Sequence, residues 1–400
     1  MSASVPVGVV SMTDAIGNEP IRLSMFDVRE AHAAVSANGA YIALIGFHKH
    51  PYPNTRTIRV FTLPNMRAVY NATFTGEDGR SVKLDNAAVS SNGRFVALNL
   101  RQRLPTAAAD GRAVWSEVVS IADVHAASYV HSSSARTSLT FAFSADGESF
   151  YNLILANGHH QFVHMSTHGL DAWTPHVVES FEEGTMTSAS ANLIAYDHRP
   201  GWHACAFTVC CWNERFCTKM VFVARDGRCK HVLIPTIHSE LLERVTFVDS
   251  GRRVLVQLCR GGTRLFAVSS VDDPDAMSLT YIGGASNNFV PSIAGHVMYC
   301  PRGRLAAYAF DDDLFKIVGN DTGKQLLLAT TGPGLTMDIV GVSVFGRVVL
   351  REETCSFLVV SRYAAVVRAV LATLGDARWS RFFVDKDGDH AIVSRMLSFC

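Results

Sequence analysis

A short pattern recurs along this chain: a run of small or apolar residues, a tight turn ending in glycine, and a second apolar run. It is clearest in Ala33-Ala34-Val35-Ser36-Ala37-Asn38-Gly39-Ala40-Tyr41-Ile42-Ala43-Leu44. Asn-Gly between alternating apolar runs marks a β-hairpin, and the spacing predicts a two-residue type I′ turn with positive φ at both central positions. The pattern returns as Ala88-Val89-Ser90-Ser91-Asn92-Gly93-Arg94-Phe95-Val96-Ala97-Leu98, then as Phe141-Ala142-Phe143-Ser144-Ala145-Asp146-Gly147-Glu148-Ser149-Phe150-Tyr151. Weaker copies surround Asn192, Gly251, Gly303, Gly346 and Gly388. The turn positions 39, 93, 147, 192, 251, 303, 346 and 388 are separated by 54, 54, 45, 59, 52, 43 and 42 residues.

A period of about 50 residues suits a unit of four short strands. Further β-type runs fill the intervals, such as Thr57-Ile58-Arg59-Val60-Phe61-Thr62 and Thr263-Arg264-Leu265-Phe266-Ala267-Val268. Helical periodicity is nearly absent; residues 364–374 could pass for a helix, but Val366, Val367 and Val370 favour an outer strand. The expected fold is all-β: one closed domain over 1–400, built of four-stranded antiparallel blades. Eight blades are favoured and seven is the alternative. Residues 5–27 are expected to complete the last blade with 380–398, which removes open sheet edges.

The inner-strand pattern, best matched over 143–150, 35–43 and 89–97, resembles the WD40-like β-propeller superfamily over essentially the whole chain. The Trp-Asp and Gly-His pairs of the tight WD40 subclass do not accompany it. The resemblance implies a rigid disc that presents protein-binding surfaces at its rims and loops.

Charge narrows the partners. Lys plus Arg and Asp plus Glu number 36 each, so the net charge is zero, and bulk electrostatics gives no case for nucleic acid or an anionic membrane. With 48% hydrophobic and 18% charged residues the chain has the makings of a packed protein rather than a disordered one. No apolar run reaches the ~18 residues of a membrane span, and the N-terminus lacks the pattern of a signal peptide. Nine cysteines, an odd number with five of them crowded into 205–229, favour a reducing intracellular setting, expected to be cytoplasmic. The sequons at Asn71 and Asn320 are read as chance matches without an export signal.

The strongest departure from the repeat is an apparent Trp- and Cys-rich insertion over 198–219. Trp202, His203, Phe207, Trp212 and Phe216 are its candidate protein-interaction edge, since interfaces enrich aromatic residues. His203, Cys205, Cys210, Cys211 and Cys217 are zinc-ligand types, but no Cys-X2-Cys pair occurs among them, and buried thiols on a hairpin are the plainer reading.

Other motifs reduce to turn chemistry. Asp385-Lys386-Asp387-Gly388-Asp389 starts like a calcium loop but has Met396 where the bidentate Glu belongs. Asp311-Asp312-Asp313 reads as a solvated turn. Gly319-Asn320-Asp321-Thr322-Gly323-Lys324 is one residue short of a phosphate loop and precedes Gln325. His159, His160, His164 and His168 cross a strand and a turn and are expected on a solvated outer blade. No catalytic residue, cofactor or metal is assigned. The favoured function is a non-enzymatic interaction scaffold or structural component with protein partners. The alternatives are a propeller enzyme (hydrolase or oxidoreductase) with a central-channel site, and a subunit of an RNA-associated complex.

Overall fold

The computed structural model describes the strands named below and, as far as residue 182, most of the turns between them; residues 1–9 and 362–400 lie outside the described residues. Every regular element described is a β-strand. The chain opens with β1 (Val10–Ser11) and β2 (Ile21–Ser24). The first unit follows as β3 (Val28–Val35), β4 (Tyr41–His48), β5 (Thr55–Thr62) and β6 (Ala68–Thr75). The second is β7 (Val82–Val89), β8 (Phe95–Ala107), β9 (Ala113–Asp123) and β10 (Ser128–Ala135). The third is β11 (Thr137–Phe143), β12 (Ser149–Ala156), β13 (His159–Ser166) and β14 (His176–Glu182). In each, the strands lie in sequence order as one antiparallel sheet.

The fourth unit contains β15 (Ile194–Tyr196), β16 (Ala204–Ala206), β17 (Thr208–Cys211), β18 (Cys217–Val223) and β19 (Cys229–Ile234). Here β16 pairs with β15, while β17 pairs with β18, so the described strands of the unit divide into two small sheets. Then come β20 (Leu242–Val248), β21 (Arg253–Leu258), β22 (Thr263–Ser269) and β23 (Ser278–Ala285). They are followed by β24 (Val297–Tyr299), β25 (Leu305–Asp311), β26 (Leu314–Gly319) and β27 (Gln325–Thr330). The last described set is β28 (Asp338–Val342), β29 (Arg347–Glu353) and β30 (Ser356–Ser361).

Two expectations about the repeat change. The first hairpin of the fourth unit joins Tyr196 to Ala204, so it follows Asn192 instead of centring on it. Gly201 lies in that connection, 54 residues after Gly147, and the repeat is more regular than the Asn192 alignment implied. Within the stretch 198–219 the described residues form β16, β17 and the start of β18, which pair inside the fourth unit. The N-terminal strand also finds a different partner: Ile21–Ser24 pairs antiparallel with Ser356–Ser361, Ile21 opposite Val359. The hairpin expected at 388, its 380–398 strands and residues 364–374 lie outside the described residues.

The inner turns are wider than type I′. Ser36 N donates to Tyr41 O at 2.9 Å, which leaves a four-residue loop, and Gly39 N donates to Ser36 O at 2.7 Å. Among the described residues of these turns only the glycine is left-handed, with φ of 66° at Gly39, 73° at Gly93 and 78° at Gly147. The reason is the preceding serine, buried in all three turns. Ser36 Oγ donates to Asn38 Oδ1 and accepts from the N–H of Ala40 and Tyr41. Ser90 repeats this with Asn92 and Phe95, and Ser144 accepts from Ser149 N. The side chain satisfies N–H groups that a tighter turn would pair through the backbone.

Successive inner turns are tied to one another. Asn38 Nδ2 donates to Ser91 O at 2.8 Å, and Ser91 Oγ donates to Ser144 O at 2.9 Å. Apolar clusters fill the seams behind these ties. Ile45, Phe47, Ile58 and Val60 of the first unit pack with Val89, Val96, Leu98 and Leu100 of the second. Phe95, Val119 and Ile121 of the second pack with Phe141, Phe150 and Met165 of the third. A third cluster joins Val28, Ile42 and Leu44 to Val349, Phe357 and Val359, with Leu23 and Met25 among them. The first unit thus packs against both the second and the last described one.

A Cβ on Gly93 would lie 2.6 Å from Tyr41 Cδ1, whereas one on Gly147 meets nothing nearer than 3.5 Å. Gly93→Ala is therefore expected to lose about 2–4 kcal/mol of stability and Gly147→Ala about 1 kcal/mol, the left-handed backbone term alone. Leu23→Ala, on a strand far from the cluster in sequence, should cost about 2–4 kcal/mol. Equilibrium denaturation of the three variants checks all of these values.

Candidate functional site on the turn face

The end of the molecule that carries the inner turns also carries the connections between third and fourth strands. These are stitched to the turns by an identical bond in three units. Leu63 N donates to Ala40 O, Val124 N to Arg94 O and Thr167 N to Glu148 O. Each connection holds one non-glycine residue in the left-handed region: Met66 at φ 56°, Ala127 at 51° and Trp173 at 65°. Such a backbone costs about 1–2 kcal/mol per residue, so packing has to offset it. Met66 packs on the cluster shared with the last described unit, and Trp173 sets its ring edge-on to Phe95 of the second unit, centroids 4.8 Å apart.

In the second unit an ion pair locks the two loops together. Arg94 Nε and Nη2 donate to Asp123 Oδ2 at 2.9 and 2.6 Å, while Asp123 Oδ1 accepts from His125 N and Ala126 N. Burial would raise the Asp123 pKa, but the Arg94 bond and the two amides outweigh it and hold the carboxyl below its ordinary range. Arg94 also lies over the Phe95 ring, 5.0 Å from its centroid.

The third unit departs from this plan. Its connection spans 167–175, against 63–67 and 124–127 in the first two units. It is pinned at its base. Thr167 Oγ1 donates to Gly147 O, Ser166 Oγ to His168 O and Trp173 N to Ser166 O. At its apex Leu170 is fully solvent-exposed, at 106% of its reference surface.

The base of the first inner strand is the other place where chemistry-bearing groups gather. His32 Nε2 lies 2.9 Å from Glu30 Oε1, Arg351 Nη2 donates to Ala31 O at 3.4 Å, and Arg29 Nη2 donates to Val82 O at 2.6 Å. These bonds cross from β3 to β29 and to β7, so they tie units together. Among the described residues, no group of three or more His, Cys, Asp or Glu is placed to hold a metal ion. No helix among them is long and apolar enough to cross a membrane.

The candidate residues from the sequence fall in connections: Trp202 and His203 between β15 and β16, Phe207 between β16 and β17, and Trp212 and Phe216 between β17 and β18. All five lie outside the described residues. Of the histidine run, His164 is half-buried on β13, 3.0 Å from Ser149 Oγ and 5.2 Å from the Tyr151 ring, rather than solvated as expected. Sequence reading passed over Leu170 and Trp173, although the longer third-unit connection, with His168-Gly169 at its turn, was a usable signal.

Burial lowers the pKa of His32, His131 and His164; Glu30 opposes this at His32, and the His176 charge reinforces it at His164. The unfolded chain then binds protons near pH 6.5 that the folded one refuses, so this contribution is intact above that value and is lost as pH falls. Stability measured by denaturant titration should decline from pH 7 to 5, and His164→Gln should flatten the slope.

No protein-family description and no curated protein sequence matches the chain. Among solved structures, the β-propeller domain of Cps50 (Swd1) from Myceliophteria thermophila superposes with a TM-score of 0.53 at 12% identity, covering 86% of this chain and 99% of that one. In all, 1277 solved chains match, a shape too widely shared to choose a function. At that identity the likeness shows the fold alone: the chain is a divergent β-propeller.

Proposed function

We propose that this chain is a non-enzymatic interaction scaffold, a ring closed by seven blades with β2 as the outer strand of the last. The cluster around Leu23, Val28 and Phe357 supports closure, since it joins the first unit to the last described one. The pairing of β2 with β30 supports seven, because it gives the seventh set of strands its outer member from the N-terminal segment. An odd cysteine count supports an intracellular setting.

The connection 167–175 carries the functional reading. It is about twice as long as its counterparts in the first two units, so hairpin closure does not require its length. Its strained Trp173 is anchored on the neighbouring unit, and its apex offers a bare leucine. A loop already locked in place binds without a large ordering cost, and burying one leucine in a partner's pocket is worth about 1.5–3 kcal/mol. The partner is a protein with an apolar pocket.

Native co-purification followed by mass spectrometry tests this. The intact chain is expected to retain a defined protein, and Leu170→Asp to lose about nine-tenths of it, in line with a central apolar anchor. Full retention by Leu170→Asp would move the contact elsewhere. Turnover of a small-molecule panel by the pure chain would end the scaffold reading.

A further inference from the structure

The outer edges of this propeller are not treated alike. β27 carries an added parallel strand, Val10 opposite Ala329 and Ser11 opposite Thr330, which extends that sheet to five strands. β30 carries β2. The chain therefore lays its own extended segments on two outer edges. The edge of the fifth unit has no such cover among the described residues, where β23 ends the sheet.

Sheet edges left to solvent are usually blunted by charge or proline. β23 reads Ser278-Leu279-Thr280-Tyr281-Ile282-Gly283-Gly284-Ala285 and has neither. The outer edge of the third unit, by contrast, carries Glu179 and Glu182. β6 and β10 are as free of Asp, Glu, Lys, Arg and Pro as β23, but each exposes one large apolar side chain, Val69 and Tyr129, where β23 exposes two in a row. A bulge adds to the difference. Leu265 faces Gly283 and Phe266 faces Tyr281, so Ile282 has no opposite number. A bulge of this kind re-aims the side chains around it. Here it leaves Tyr281 and Ile282 exposed side by side, at 56% and 47%. The Tyr281 ring is steadied edge-on against Phe266 at 5.7 Å.

We propose that β23 receives an extended, uncharged segment of a partner protein as a fifth strand, as β27 receives β1. The chemistry of the occupant follows from the chain's own example. β1 lies within Val9-Val10-Ser11-Met12, a run with no charge and with β-branched residues. Backbone hydrogen bonds along β23 would supply the docking, and Tyr281 with Ile282 would select apolar side chains at the bulge. This site is distinct from Leu170, in a different unit, so either can fail without the other.

The probe is an acetylated, fluorescently labelled Gly-Val-Val-Ser-Met-Thr peptide, residues 8–13 of this chain, titrated into the full-length protein. Saturable binding is expected, with slowed hydrogen exchange across 278–285. The double variant Tyr281→Lys/Ile282→Lys should bind about tenfold more weakly, because two charges now line the edge. Both side chains are mostly exposed and only the Tyr281–Phe266 edge contact is lost, about 0.5–1.5 kcal/mol, so the variant should stay folded with a melting temperature lowered by a few degrees at most. As a check that needs no protein variant, the same peptide with alternate backbone N-methyl groups should fail to bind. Absence of binding up to the peptide's solubility limit overturns the proposal. So does protection at 325–330 in place of 278–285, which would mean displacement of β1. Concentration-dependent protection of 278–285 without peptide also overturns it, in favour of a second copy of the chain.

Discussion

Everything described in this fold depends on how closely successive inner hairpins approach one another. Where the Tyr41 ring lies against the second turn, a side chain at position 93 has no room, and glycine is required both for that space and for its left-handed backbone. The tight approach also brings Ser91 O within reach of Asn38, and Ser144 O within reach of Ser91. These carbonyls belong to turns, outside the strand ladders, and would be costly to bury without donors. Ser144 O also accepts from Gly147 N within its own turn, whereas Ser91 O is reached by Asn38 Nδ2 from the turn before it. Close approach of successive turns is thus a geometric condition on neighbouring units, and the first units meet it with a 54-residue step.

That condition explains what the sequence revealed. Serine, asparagine and glycine are confined to the turns by their chemistry, so positions 39, 93 and 147 could be read directly, and the strands on either side followed from alternation. The turn type could not be read so simply. Asn-Gly alone signals type I′, and only the capture of two N–H groups by Ser36 Oγ opens the loop to four residues. In the fourth unit, Pro200-Gly201 lacks the serine and asparagine, and Asn192 was the more visible marker. The partner of β2 is a matter of which strand is left without an outer neighbour, and local sequence does not encode that.

The candidate site was less legible for a related reason. Left-handed Met66, Ala127 and Trp173 have no composition signal, because none is a residue that favours positive φ. Each is tolerated through the stitching bonds between the third-strand ends and the inner turns. Trp173 is further repaid by contact with Phe95 of the preceding unit. Long-range packing of this kind overrides local preference and is invisible to any window of sequence.

Edges govern the rest of the surface. A ring disposes of its inner edges by crowding them, but each unit still ends in an outer strand whose backbone groups need an answer. In five units the outer strand carries an apolar bulge residue, Val69, Val130, Val178, Ile282 and Leu326, whereas β19 and β2 pair without one. A bulge twists the edge and spoils long-range pairing without forbidding a short added strand beyond it. β1 demonstrates this: it meets β27 at Ala329 and Thr330, past the bulge at Leu326. The same device that protects the molecule from edge-to-edge aggregation therefore leaves room for a brief, specific strand addition, and charge on the individual edge decides which outcome prevails. Glu179 and Glu182 close that option in the third unit, and nothing in the sequence of β23 closes it in the fifth.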